Sequence, residues 1–322
     1  VLFNDNKTLV RLNVLFNFFS LGKYYVHVAF LNFLSFTGLI ALFRLFRQNQ
    51  ARKSKIIFIS MMFLPSVLFW GSGLLKDGLL LFALGILLYS FSHLLSGNTS
   101  IRNKLSFVFS LLLLMCTKLY VLFIILPALI AWFWSRNDAG KRVIIKFIVC
   151  YVIYLVAGFN IDKISEKYDV VDLIYYKQQN FSVLANASHA NSFIEIPRID
   201  ATAGSLIRNS PAAVWRVLTR PWITDSSSLL ILLSACENLF VLFFGMTCLL
   251  FSGRNNSRSP QMLCLSFTFV LFMFALIGLI TPILGAMVRY KVPAMLFLVF
   301  LFVTLLDESK IAGKFQFIRK LM

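Results

Sequence analysis

Long apolar runs broken by short polar stretches dominate the chain. A helix needs about 20 apolar residues to cross a bilayer. Nine stretches approach that length: 25–43, 56–73, 74–95, 104–116, 119–134, 143–160, 228–251, 261–281 and 292–307. The pair 104–116 and 119–134 is short and reads as two short helices or as a re-entrant hairpin turning at Thr117-Lys118. Ahead of the first run, Leu9, Leu12, Phe16 and Phe19 recur on one helical face. That piece is too short to span, and reads as an amphipathic helix lying in the interface or as an ordinary surface anchor. The expected fold is all-α: a polytopic transmembrane helical bundle of about nine spanning or re-entrant helices behind an amphipathic interfacial helix. It forms a single transmembrane domain over 1–322 and includes a longer, more polar loop at 161–226. No internal repeat is evident, so an inverted-repeat transporter has no support.

Composition agrees. The chain is 59% hydrophobic, with 35 Phe and a mean hydropathy of +0.82, which suits a protein whose surface is mostly covered by lipid. The five cysteines stand singly inside apolar segments with no CxxC spacing, so neither a disulfide framework nor a zinc site is indicated. His27, His93 and His189 are scattered along the chain. The chain opens on Val1 rather than Met, and the expectation is that its natural beginning lies upstream.

The net charge is +18. In a soluble protein that would point to nucleic acid, but no basic patch with interleaved aromatics lies outside the apolar runs, and no nucleic-acid partner is expected. Basic residues in a membrane protein instead mark cytoplasmic loops. The breaks 44–55, 96–103, 135–142, 252–260 and 308–322, with Lys104 and Lys146, hold more than half of the 31 Lys and Arg, against only Asp138, Asp307 and Glu308. These alternate breaks are expected in the cytoplasm together with the C-terminus. The opposite face receives 1–24, the Trp70–Asp77 turn, Thr117–Leu119, the loop 161–226 and 282–291. The loop is expected to pack over this outward face, since its aromatics Tyr168, Tyr175, Tyr176 and Trp215 are too few for a separate core.

On that outward face lies "FLPSVLFWGSGLLKDGLLLF", Phe63 to Phe82. Lys76 and Asp77 are the only charges between Ile56 and Leu95. Gly71, Ser72 and Gly73 predict a turn, which puts both charges in the first turn of a new helix. Asp77 suits the positive end of the helix dipole and Lys76 does not. A lysine beside exposed helix N–H groups is useful to an anionic ligand such as a phosphate. The alternative is that Lys76 pairs with Asp77 or extends to the headgroups. Lys118 in "CTKLY", Arg289 and Tyr290 in "MVRYKVP", and Arg216 and Arg220 in "PAAVWRVLTRPWITD" reach the same face. Each singly reads as an interfacial anchor, with Trp215, Trp222 and Tyr290 in the aromatic belt. Together they suggest a shared anionic ligand. Asp5, Asp77, Asp225 and Glu237 are the outward candidates for acid–base work, and Glu237 is set deep in an apolar stretch. No GxSxG, Walker loop or HExxH occurs.

At these residues the chain resembles bacterial multi-span glycosyltransferases of the GT-C superfamily, the surface-polysaccharide type. "PSVLFWGSGLLKDGLLLF" resembles their Pro…Trp-Ser-Gly…Lys-Asp/Glu turn. "CTKLYVLFIILPAL" resembles a short-helix pair usually written with Arg-Pro-Tyr, "SPAAVWRVLTRPWITD…ENLF" the entry to a later span, and "RYKVPAMLFLVF" the start of a C-terminal span. The resemblance implies a bacterial inner-membrane enzyme of polysaccharide biosynthesis. It would move a sugar from a polyprenyl-phosphate donor to a glycan or lipid acceptor at the extracytoplasmic face of the cell envelope. It implies a catalytic acid in the first outward loop, where Asp5 is the only match, although the family's usual pair of acids is absent. It implies substrate contacts from Lys76, Asp77, Lys118, Arg220, Arg289 and Tyr290. No cofactor is expected, and a divalent metal is left open. Membrane lipid is the remaining partner.

Three other readings fit the same residues, one of them a structural membrane subunit of a polysaccharide assembly machine, whose charged outer residues would be dispensable. An O-antigen-type polymerase or ligase also uses outward cations on polyprenyl substrates but needs no carboxylate base in the first loop. A flippase or transporter without bond chemistry would place charges along a route between both faces, whereas the mid-span charges here cluster toward one.

Overall fold

The computed structural model describes residues 5–163, 169–187, 192–225, 228–253, 259–307 and 310. The basic residues at 254–258 and 311–322 counted above lie outside the described residues. Among those described are thirteen α-helices: α1 Asp5–Ser20, α2 Tyr24–Asn49, α3 Ser54–Met62, α4 Pro65–Gly71, α5 Lys76–Leu95, α6 Ile101–Thr117, α7 Leu119–Trp134, α8 Lys141–Phe159, α9 Val170–Ala187, α10 Ala203–Thr219, α11 Leu229–Leu250, α12 Pro260–Ile280 and α13 Leu284–Leu305. No strand is described, only the isolated bridges Phe193–Ile283 and Ser252–Leu306. Six helices are long and apolar enough to cross a membrane: α2, α5, α8, α11, α12 and α13. The protein is therefore an all-α, multi-pass membrane protein.

Two of the expected spans differ, and the short pair takes one of its two expected forms. The run 56–73 is not one rod. It breaks into α3 and α4, bent by 58°, where Pro65 removes an N–H and pushes Leu64 into an extended conformation (φ −66°, ψ 118°). Counted as one span, this pair makes seven. The short pair is two helices, α6 and α7, separated only by Lys118. The last span begins at Leu284 rather than at 292. It runs straight through Pro293, so Arg289 and Tyr290 lie inside α13 and not in a break before it.

The chain divides into two compact units. The first comprises residues 1–126, 254–259 and 309–322, and the second comprises 127–253 and 260–308. In the first unit α5 is the core helix. It packs against α2 on one side and α6 on the other, and Leu80, Ala83, Leu84, Leu87 and Leu88 are almost wholly buried. The α2–α5 crossing has no room for a side chain on either partner. A Cβ on Gly85 would stand 2.0 Å from the Gly38 carbonyl oxygen, and one on Gly38 would stand 2.3 Å from the Phe82 Cα. Small residues that let backbones touch are the usual seam where lipid removes the hydrophobic drive for helices to associate. Helix α1 lies against α2 and α6. Leu9, Leu12 and Phe16 are half-buried as the periodicity predicts, but Phe19 is exposed, along with Val14, Leu15 and Phe18.

In the second unit α12 is the hub, touching α8, α9, α10 and α13. Gly278 lets α10 approach closely: a Cβ there would meet the Ala213 carbonyl oxygen at 2.3 Å. The loop 161–226 supplies α9 and α10. Its buried residues Val171, Ile199, Leu206 and Ala213 form one cluster with Leu279 of α12, so it shares its core with a spanning helix. Gln178 of α9 fixes the arrangement, donating to the Pro197 and Leu279 carbonyls and accepting from the Ile199 N–H. At the other end of this unit, Gln261 donates to the Ser135 and Asp138 carbonyls. Lys146 there pairs with Asp138 and sits 5.1 Å from the Trp134 ring centre.

Candidate functional site

The first unit gathers charge at the start of α5. The apolar run ends at Gly71, and the turn through Ser72 and Gly73 (φ +85°) leads back into α5 with no side-chain cap at Leu75. Two polar residues of α2, Asn32 and Ser35, hold this turn. The Asn32 side-chain oxygen accepts from the Gly73 N–H at 2.9 Å, and Ser35 fits between Gly71 and Gly78. One N–H group of the turn is therefore already engaged. Lys76 is half-buried. Asp77 is 2% exposed and accepts a 2.6 Å bond from the Lys118 ammonium, whose side chain is 10% exposed. The sequence left open whether Asp77 pairs with Lys76. Asp77 does pair with Lys118, brought in from the α6–α7 junction.

Helix α1 reaches the same junction. The Thr8 hydroxyl donates to the Cys116 carbonyl at 2.6 Å, two residues before Lys118. Asp5 begins α1, one turn ahead of Thr8, and its side chain lies outside the described residues. Farther along α1, His27 of α2 bonds Ser20 through Nε2 and Asn13 through Nδ1. The order of groups is that of nucleophile, base and orienting residue, but Ser20 is only 3% exposed and has almost no surface to offer a substrate. The trio pins α1 to α2 across their three-residue turn.

The second unit holds the other candidates. Arg220 contacts Asp225 at 3.4 Å, and Asp225 also accepts from the Trp222 N–H. Tyr290 meets Phe181 edge-on, with ring centres 6.3 Å apart. Arg289 is half-buried on α13. Arg216 donates to the Gly278 carbonyl at 2.9 Å; burial, then the neighbouring Arg220, pushes its guanidinium below its ordinary pKa. Glu237 is buried on α11, next to Asn238.

No family model, curated protein or solved structure matches this chain.

Sequence reasoning passed over Lys291, the most deeply buried cation among the described residues of the second unit. It is 4% exposed, and its ammonium reaches the Val217 and Arg220 carbonyls and the Asn238 side-chain oxygen. Asn238 in turn donates to the Thr219 carbonyl at 2.7 Å. These carbonyls are the open C-terminal end of α10, where a cation is favourable. One lysine from α13 and one asparagine from α11 thus finish α10. The signal was present in "RYKVP": an ionisable residue among apolar neighbours. Asn32 and Ser35 also carried a signal, as a polar pair three apart in a run whose other polar residues are His27 and Thr37. Among the described residues no three His, Cys, Asp or Glu side chains come together as a metal site.

Proposed function

We propose that the protein is a bacterial cytoplasmic-membrane glycosyltransferase. In this reading it takes a sugar from a polyprenyl-phosphate donor and passes it to a glycan or lipid hydroxyl at the extracytoplasmic face. The observation that carries the reading is the start of α5. A half-buried lysine stands in the first turn of a spanning helix, beside an aspartate already bonded to Lys118. A lysine there opposes its own helix dipole, and a phosphate is favoured both by that ammonium and by the helix N-terminus. The remaining candidates, Arg220, Arg289 and Tyr290, belong to the second unit, and the proposal rests on none of them.

The chemistry assigned to the site is a single displacement. The acceptor oxygen attacks the anomeric carbon and the bond from that carbon to the donor phosphate oxygen breaks. The acceptor proton passes to a carboxylate, assigned to Asp5 as general base. Polyprenyl phosphate leaves as an anion, and Lys76 stabilises the charge that develops on it. A charge-assisted contact of this kind is worth about 1.5–3 kcal/mol. Lys76→Met is therefore expected to weaken donor binding or turnover roughly ten- to a hundredfold at unchanged membrane abundance. Lys76→Arg is expected to keep part of the function, because charge stays while geometry changes. Polyprenyl-phosphate binding and sugar transfer both at the wild-type level in Lys76→Met would end the phosphate-site reading.

The orientation is part of the same proposal. The charge asymmetry puts loop 44–55 and the C-terminus in the cytoplasm and α9 and α10 outside. Single cysteines introduced at Gln48 and at Asn209 are expected to react with an impermeant maleimide from opposite sides of sealed vesicles. Labelling of both from one side contradicts this topology.

A further inference from the structure

The first unit is far from electroneutral, and its few acids are all at one end. Its only acidic residues are Asp5 and Asp77. Asp77 is bonded to Lys118 beside the turn that Asn32 holds. From Asn32 to Arg47, α2 runs fifteen residues, about 22 Å, well beyond the Debye length at physiological salt. At that far end the chain turns through a short 3-10 helix, Ala51–Lys53, into α3, and the exposed cations there have no acid from their own unit to meet.

A groove of about 310 Å³ opens at this corner, lined by Phe43, Ser54, Lys55, Phe58 and Ile59. Its two walls are ordered by helical spacing. Lys55, Phe58 and Ile59 fall on one face of α3, and Phe43 and Arg47 fall on one face of α2. The Phe43 and Phe58 rings meet edge to face at 5.3 Å and close the groove between the helices. Lys55, Phe58, Ile59 and Arg47 are all exposed. The result is graded: Lys55 and the Ser54 hydroxyl line the basic end, Arg47 stands one turn beyond Phe43 on α2, and aromatic and aliphatic surface leads away along α2 and α3.

We propose that this corner binds one anionic phospholipid. The headgroup phosphate is held between Lys55, Arg47 and the Ser54 hydroxyl, and the first carbons of an acyl chain lie on Phe43, Phe58 and Ile59. A basic pocket at the membrane boundary, continuous with apolar surface, is suited to an anionic lipid. A soluble anion would leave the apolar half of the groove unused. The site is independent of the sugar-transfer proposal and lies at the opposite end of α2.

The test uses the full chain, purified in neutral detergent and stripped of lipid, with phosphatidylglycerol or phosphatidylcholine added back. Retained lipid is read by native mass spectrometry and stability by thermal melting. Phosphatidylglycerol is expected to be retained at one per chain and to raise Tm, and phosphatidylcholine to do neither. Arg47→Gln with Lys55→Gln is expected to weaken retention roughly ten- to thirtyfold, because both cations that attract the phosphate are then neutral. Both residues are exposed, so the variant should fold. Arg102→Gln with Lys104→Gln, removing two cations from the start of α6, is expected to change nothing. Equal retention of the two lipids overturns the proposal. So does an equal weakening in the Arg102/Lys104 variant, which would mean diffuse surface attraction, and so does equal stabilisation by inorganic phosphate, which would mean an anion site without a lipid.

Discussion

Gly85→Val should leave the first unit unable to pack. The added Cβ alone would stand 2.0 Å from the Gly38 carbonyl oxygen and 2.7 Å from its carbon, and the obstacle is backbone, which cannot rotate away. Helices α2 and α5 must then separate along their whole seam, and the dispersion attraction that holds helices together in lipid falls away. Overpacked sites usually cost about 1–3 kcal/mol. A backbone clash in the core helix belongs at or above the top of that range, enough to remove much of a typical stability. Gly85→Ala should show a smaller effect of the same kind, and Gly38→Ala should resemble it, because each opens the same crossing. Gly158→Ala is the control. Beyond its chain neighbours and its own helix backbone, nothing lies within 4 Å of a Cβ placed there, and alanine is the better helix former by roughly 1 kcal/mol, so it should be neutral or stabilising. Monodispersity after detergent extraction and the thermal midpoint give the readout. A Gly85→Val protein that extracts and melts like the parent would show that α2 and α5 do not meet at this crossing.

That seam shows what could be read from the chain before its structure. The helices were legible because a span is a local property: about 20 apolar residues in a row predict one wherever they occur, and the expected run 74–95 became α5. Which helices touch is not local. Gly38 and Gly85 are ordinary glycines in apolar runs until α2 and α5 cross. Proline misled in both directions, since Pro65 splits a run read as continuous while Pro293 lies inside a helix read as starting near it. Proline's fixed φ and missing N–H are local facts, but whether neighbouring helices tolerate the gap is not. The charges at the start of α5 were legible as an anomaly, and their partner was not. Asp77 and Lys118 are 41 residues apart in sequence, and only the packing of α6 on α5 joins them. Lys291 was hidden for the same reason, its acceptors lying 53 to 74 residues away.

The Asp77–Lys118 pair sets the second large effect. Both side chains are nearly out of solvent, and removing one member of a buried pair costs about 3–5 kcal/mol because the other charge remains. The two members are not equivalent. Asp77 also occupies the first turn of α5, where the helix dipole favours a carboxylate. Asp77→Ala takes this carboxylate from an ammonium beside a helix N-terminus that repels it, whereas Lys118→Met takes the ammonium from a carboxylate that the same helix still stabilises. Asp77→Ala should therefore be the more damaging single change. The double variant Asp77→Leu with Lys118→Met should melt above Asp77→Ala, since neither member of the buried pair then remains without the other and apolar side chains fill the space. If the double variant is no more stable than Asp77→Ala, the two residues do not compensate each other and the pair is not what holds α6 to the start of α5. The double variant also separates structure from chemistry. It should fold with Lys76 still in place, so a normal rate of sugar transfer in that background would confine the pair to holding α6 on α5, and an abolished rate would tie it to the donor site beside Lys76.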